Sequence, residues 1–142
     1  MTVNKNSSPL SLATYHFAQT DLISTAANIY ILSIFGKYHY LNLGARSLLT
    51  VAGCGALGGS LATSIAVSKD ESYYAAGANG IGAALLTFHA FKTPKLFSQM
   101  RFLRLMPLGW VALSLAYGIK FNDQGLLAGA AGGYAAFLLG IW

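Results

Sequence analysis

An all-helical membrane domain with about five spans is the fold class this sequence predicts, and three observations carry that prediction. Of the 142 residues, 55% are hydrophobic and 9% charged, against about 25% charged in soluble domains. Mean hydropathy is +0.54. The apolar residues fall in runs near the roughly 20 residues a helix needs to cross a bilayer core, and short polar stretches separate them. A single cysteine, Cys54, excludes an intrachain disulfide and a cysteine metal cluster. The net charge of +5 is spread over loops, so it reads as a topology signal and not as a nucleic-acid footprint.

Residues 1–16 read as a polar N-terminal segment, separate from a membrane domain over 17–142. The segment lacks the charged start, apolar core and cleavage site of a secretory signal and is poor in Arg for a mitochondrial presequence. His16 stands before the first helix as an interfacial residue. The first span, 17–36, has Asp21 near its start, where a carboxylate caps unpaired amides, and Asn28 inside. Lys37 to Arg46 is basic and aromatic, as expected of an interfacial loop. The second span, 47–67, is rich in glycine (Gly53, Gly55, Gly58, Gly59).

The third span, 73–91, is the candidate central helix. The small-residue tetrad Gly77-Ala78-Asn79-Gly80 opens it. In water that tetrad would start a helix poorly, because each glycine costs backbone entropy. In a membrane, small residues let a helix sit tightly among its neighbours. A loop from Lys92 to Arg104 follows, with Pro94 stopping the helix. The fourth span is 105–119. The fifth, 125–142, carries Gly125, Gly129 and Gly133 at four-residue spacing.

Alternate loops then lie on opposite sides. Lys37, Arg46, Lys92, Lys95, Arg101 and Arg104 share one side; Lys5, Lys69 and Lys120 share the other. The positive-inside rule turns the first side toward cytoplasm or matrix, with the N-terminus out and the C-terminus in. Five spans with that inverted start suggest a six-helix parent lacking its first helix.

From Phe17 to Trp142 the order of motifs resembles the rhomboid superfamily of intramembrane serine proteases, from its second helix to its sixth. In the family's second helix two histidines precede an asparagine, and a glycine ends the helix. Here Asn28 and Gly36 fall on that frame, while Gln19 and Ser24 stand where the histidines would be. Gly77-Ala78-Asn79-Gly80 falls on the Gly-x-Ser-Gly of the nucleophile helix, with Asn79 at the serine. Ala130-Ala131-Gly132-Gly133 falls on the His-x-Gly-Gly of the sixth helix, with Ala130 at the base. The resemblance thus implies the fold and argues against the activity, because acyl transfer needs a nucleophile and a base in reach of each other. An active protease would need a substitute such as Ser24 or Thr25, and no histidine falls in that frame.

Asn79 is expected to bond within the old active-site cavity, to Asn28 or a backbone carbonyl, since buried polar groups in membranes need partners. Gly77, Gly80, Gly125, Gly129, Gly132 and Gly133 are expected to serve helix packing inside the monomer. Lys92, Lys95, Arg101 and Arg104 either bind anionic lipid such as cardiolipin or only set topology. His39 and His89 fall near the same membrane face, but no haem motif lies behind their spacing. No cofactor and no metal site are expected. The expected role is a non-catalytic accessory subunit of a large membrane assembly, a mitochondrial respiratory or ATP synthase complex foremost. A derlin-like binder of transmembrane clients is the alternative, and a small channel or translocase-like protein is the third.

Overall fold

The computed structural model describes residues 8–17, 22–69, 77–92 and 106–140. Every regular element among them is helical. Helix α1 (Pro9–Thr14) runs into a 3-10 turn, Tyr15–Phe17. Helix α2 (Leu22–Ile31) continues through a π-helical turn, Leu32–Gly36, into α3 (Lys37–Lys69). Then come α4 (Asn79–Lys92), α5 (Met106–Lys120) and α6 (Gln124–Leu138). The stretch Leu22–Lys69, 48 residues with hydropathy 1.5, is long and apolar enough to cross a membrane.

That stretch is not one rod. Gly44 sits at φ 83°, ψ 170° inside α3, a conformation that residues with a Cβ rarely adopt. On one side of it, Asn28 bonds Asn79 at the start of α4, and His39 bonds His89 near its end. On the other side Val51 packs on Leu85 and Phe88, while Gly55 packs on Gly80 and Ala84. The two arms therefore lie antiparallel, hinged at one residue. This corrects the loop expected over Lys37–Arg46. Of its polar residues His39 is buried and bonds His89 of α4, while Lys37, Asn42 and Arg46 stay exposed on the helix surface.

Helix α4 is the centre of the bundle. Every residue from Gly82 to His89 is buried, as expected of a helix apolar all round. Helices α3 and α6 pack on it most extensively. A Cβ at Gly129 of α6 would collide with the Gly80 backbone of α4, and one at Gly133 with the Ala84 backbone. Lipid tails are as apolar as Leu, so backbone contact of this closeness, through dispersion, is what holds membrane helices together. The glycine stripe thus packs within the monomer.

Several boundaries differ from the sequence reading. Helix α4 begins at Asn79, because Gly77 takes φ 101° in a bend and donates its N–H to the Tyr15 carbonyl (2.9 Å). Gly77 therefore bends the chain just ahead of α4. Helix α6 stops at Leu138, where Leu139 and Gly140 turn off it and Gly140 takes φ 62°. Tyr15 and His16, the last two residues of the segment expected over 1–16, are buried at the bundle end. His16 Nε2 lies 3.2 Å from the Ala56 carbonyl and 3.1 Å from Ser60 Oγ, which replaces its expected interfacial place. The expected sites Gln19, Asp21, Lys95, Arg101 and Arg104, with Tyr73 and Pro94, lie outside the described residues.

Candidate functional site

The starts of α4 and α6 meet at one end of the bundle. The α5–α6 turn is tight: Asn122 adopts φ 53°, which asparagine tolerates better than most residues. The Asp123 N–H bonds the Gly118 carbonyl at 2.8 Å. Asp123 then caps α6, its Oδ1 accepting from the Leu126 N–H at 2.9 Å. Its other oxygen, Oδ2, accepts from Asn79 Nδ2 at 2.8 Å. Asn79 Oδ1 in turn accepts from Asn28 Nδ2, also at 2.8 Å. A chain Asn28–Asn79–Asp123 thus ties α2, α4 and α6 together.

The sequence frames pointed to Asn28 and Asn79, and the structure brings these two together. Asp123 was missed. It stands in a polar turn, and a carboxylate one residue before a helix reads only as a cap. What adds its second role is the closeness of the two helix starts, set by the contact of Gly129 with Gly80.

A cavity of about 200 Å³ opens beside Asn79, walled by α2, α4, α5 and α6. Ser24, Asn28, Asn79, Ser114 and Tyr117 give it a polar side. Ser24 Oγ and Tyr117 Oη, 3.4 Å apart, link α2 to α5 there. The α6 residue in its wall is Leu126. Ala130, the position expected to face Asn79, lies one turn further along, packed with Ala83 and Leu126. The frame on Gly132-Gly133 placed that position too far on, because Gly129 is the residue against Gly80. No histidine lines the cavity among the described residues. Neither does any group of three or more His, Cys, Asp or Glu side chains among them suit a metal ion.

A second polar cluster lies at the other end of α4. His39 Nε2 is 2.7 Å from Ser47 Oγ, and His39 Nδ1 is 3.1 Å from His89 Nε2. Phe35, Tyr38 and Phe88 pack round these rings. Two neutral imidazoles satisfy both contacts with one proton each. The nitrogens bond each other directly, so no iron fits between them as in a bis-histidine haem. Lys92 Nζ is turned inward, 5.7 Å over the Phe88 ring, and not outward toward a headgroup.

Among known proteins, the family model of the Rhomboid domain matches residues 6–142. No curated protein and no solved structure matches the chain. The match covers nearly the whole chain, including the buried Tyr15 and His16 ahead of α2. This protein belongs to the rhomboid superfamily of integral membrane proteins.

Proposed function

We propose that this protein is a non-catalytic rhomboid, a pseudoprotease that serves as an accessory subunit of a large membrane assembly. The observation that carries the non-catalytic reading is the commitment of Asn79. Its carbonyl is held by Asn28 and its amide nitrogen by Asp123. An amide is neither ionisable nor usefully nucleophilic. The α6 side chains nearest it, Leu126 and Ala130, hold no nitrogen to act as a base.

The subunit role draws support from helix length. Helix α6 has both ends described and is 15 residues long, about 22 Å at 1.5 Å per residue. The hydrocarbon core is about 30 Å thick, and a short helix relieves such mismatch by thinning the bilayer or by associating with other chains. A respiratory-chain or ATP synthase complex of the mitochondrial inner membrane is the setting we assign. Lys37, Arg46 and Lys92 gather at the His39–His89 end, while Lys69 and Lys120 end α3 and α5 at the other. That distribution supports the His39–His89 end facing the matrix.

Mild-detergent extraction from native membranes, a native gel and mass spectrometry of the band test this role. Migration at very high mass with other subunits at constant ratio is the expected outcome. Migration near 15.0 kDa plus detergent would remove the subunit reading and favour a derlin-like binder of clients.

A further inference from the structure

The first arm of the hinged stretch, residues 22–43, is tied to both ends of α4, by different chemistry. At the start of α4 the amides of Asn28 and Asn79 meet at 2.8 Å. Near its end the imidazoles of His39 and His89 meet at 3.1 Å. Amides do not titrate, whereas an imidazole in water gains a proton at about pH 6.5. We propose that the His39–His89 pair is an acid-sensitive clasp across the Gly44 hinge, closed when both rings are neutral and released when they are charged.

His39 fastens two joints at once. Its Nδ1 meets α4 through His89, and its Nε2 lies 2.7 Å from Ser47 Oγ on the second arm, past the hinge. Releasing His39 therefore unties the first arm both from α4 and from the second arm. The pivot between the arms is Gly44, at φ 83°, with nothing within 4 Å of the place a Cβ would take. Nothing packs against that side of the hinge to hold it when the clasp lets go.

A charge on the pair would have no counter-ion. Both rings are fully buried, with Phe35 from the first arm and Phe88 from α4 against them, and Phe137 of α6 behind Phe88. The titratable groups facing them are Tyr38, its ring 5.5 Å from that of His89, and Lys92, whose Nζ lies 5.7 Å over Phe88. Lys37 and Arg46 are exposed nearby, and all three cations carry the sign of an imidazolium. Among the described residues the one carboxylate side chain is Asp123, bonded to Asn79 at the opposite end of α4. One added proton keeps the contact between the rings but buries a charge among apolar side chains, which costs heavily. A second sets N–H against N–H, and the contact is lost. Opening gives both rings to water at the face where Lys37, Arg46 and Lys92 gather. The Asn28–Asn79 bond holds the other end of the arm, so acid swings one end and leaves the bundle assembled.

Hydrogen exchange of the full chain in liposomes, corrected for the pH dependence of the intrinsic rate, tests this between about pH 8 and pH 4.5. The closed pair is neutral and the open rings take up protons, so the closed form is favoured at high pH and lost as pH falls. Protection at residues 37–47 should be flat above about pH 6.5 and fall below it, by about tenfold per pH unit for each ring that charges. Residues 80–85 should keep theirs. His16, the third histidine, bonds Ala56 beside the start of α4, so its own titration reads out elsewhere. His39→Gln with His89→Gln removes both titrating rings and keeps hydrogen-bonding amides, and its protection at 37–47 should not change with pH. Spectra of the natural chain labelled with 15N-histidine need no variant: two imidazoles should gain protons over the pH range in which protection falls. Protection at 37–47 that does not fall relative to 80–85 would overturn the proposal. So would a fall while both rings stay neutral, or one equally steep in the double variant.

Discussion

Asn79 Nδ2 donates to Asp123 Oδ2 at 2.8 Å, joining two residues 44 positions apart at the starts of α4 and α6. The same carboxylate caps α6 through the Leu126 N–H. One side chain therefore fixes both a helix end and a contact between helices.

Asp123→Ala removes both bonds and leaves the Asn79 amide short of an acceptor. A lost cap costs about 1 kcal/mol, and an unsatisfied buried donor about 1–3 kcal/mol. A loss of roughly 2–4 kcal/mol is expected in reversible unfolding in detergent. Asp123→Asn keeps an acceptor for Leu126 but sets its own NH2 against that of Asn79, so it should spare only the cap, about 1 kcal/mol.

Asn28 and Asn79 should couple weakly. Hydrogen bonds between membrane helices average about 0.6 kcal/mol in double-mutant cycles, and a cycle through Asn28→Ala and Asn79→Ala should return a value of that order. Strictly additive single effects would mean that the 2.8 Å bond between them is not holding α2 to α4.

Gly129→Ala is the most damaging one-methyl change expected. Its Cβ would meet the backbone of Gly80, which has no flexible end to give way. Overpacking of this kind costs about 1–3 kcal/mol or more, measurable as a lower unfolding midpoint. Gly53→Ala, where nothing lies within 4 Å, should be neutral or slightly stabilising.

His39→Ala should loosen the end of the bundle where α3 reverses. His39 is fully buried and holds both Ser47 and His89. Its loss leaves a cavity and unpaired polar atoms, together costing about 3 kcal/mol. Hydrogen exchange should rise most around residues 37–47, and not at the Asn79 end.

The sequence was most legible where composition alone decides. Long apolar runs and buried glycines marked the central helix, and α4 is buried all round from Gly82 to His89. Asn28 and Asn79 were legible as a pair, because each is a lone amide in an apolar run. Other features depend on who neighbours whom. Lys37, Tyr38 and His39 have loop composition, yet they stay helical because His89 supplies a partner at 3.1 Å. The position on α6 nearest Asn79 was off by one turn, because only the contact of Gly129 with Gly80 fixes the rotation of that helix. Counting back three residues from Gly129 would have reached Leu126.

The central claim, that Asn79, held between Asn28 and Asp123, stands where a protease would hold its nucleophile and leaves the chain non-catalytic, is tested most directly by cleavage. The purified chain is reconstituted in liposomes with a panel of model transmembrane substrates, beside an active rhomboid protease as control. No product above background is predicted for this protein, nor for Asn79→Ser combined with Leu126→His or with Ala130→His. Product formed by the natural chain, and lost in Asn79→Ala, would contradict the account.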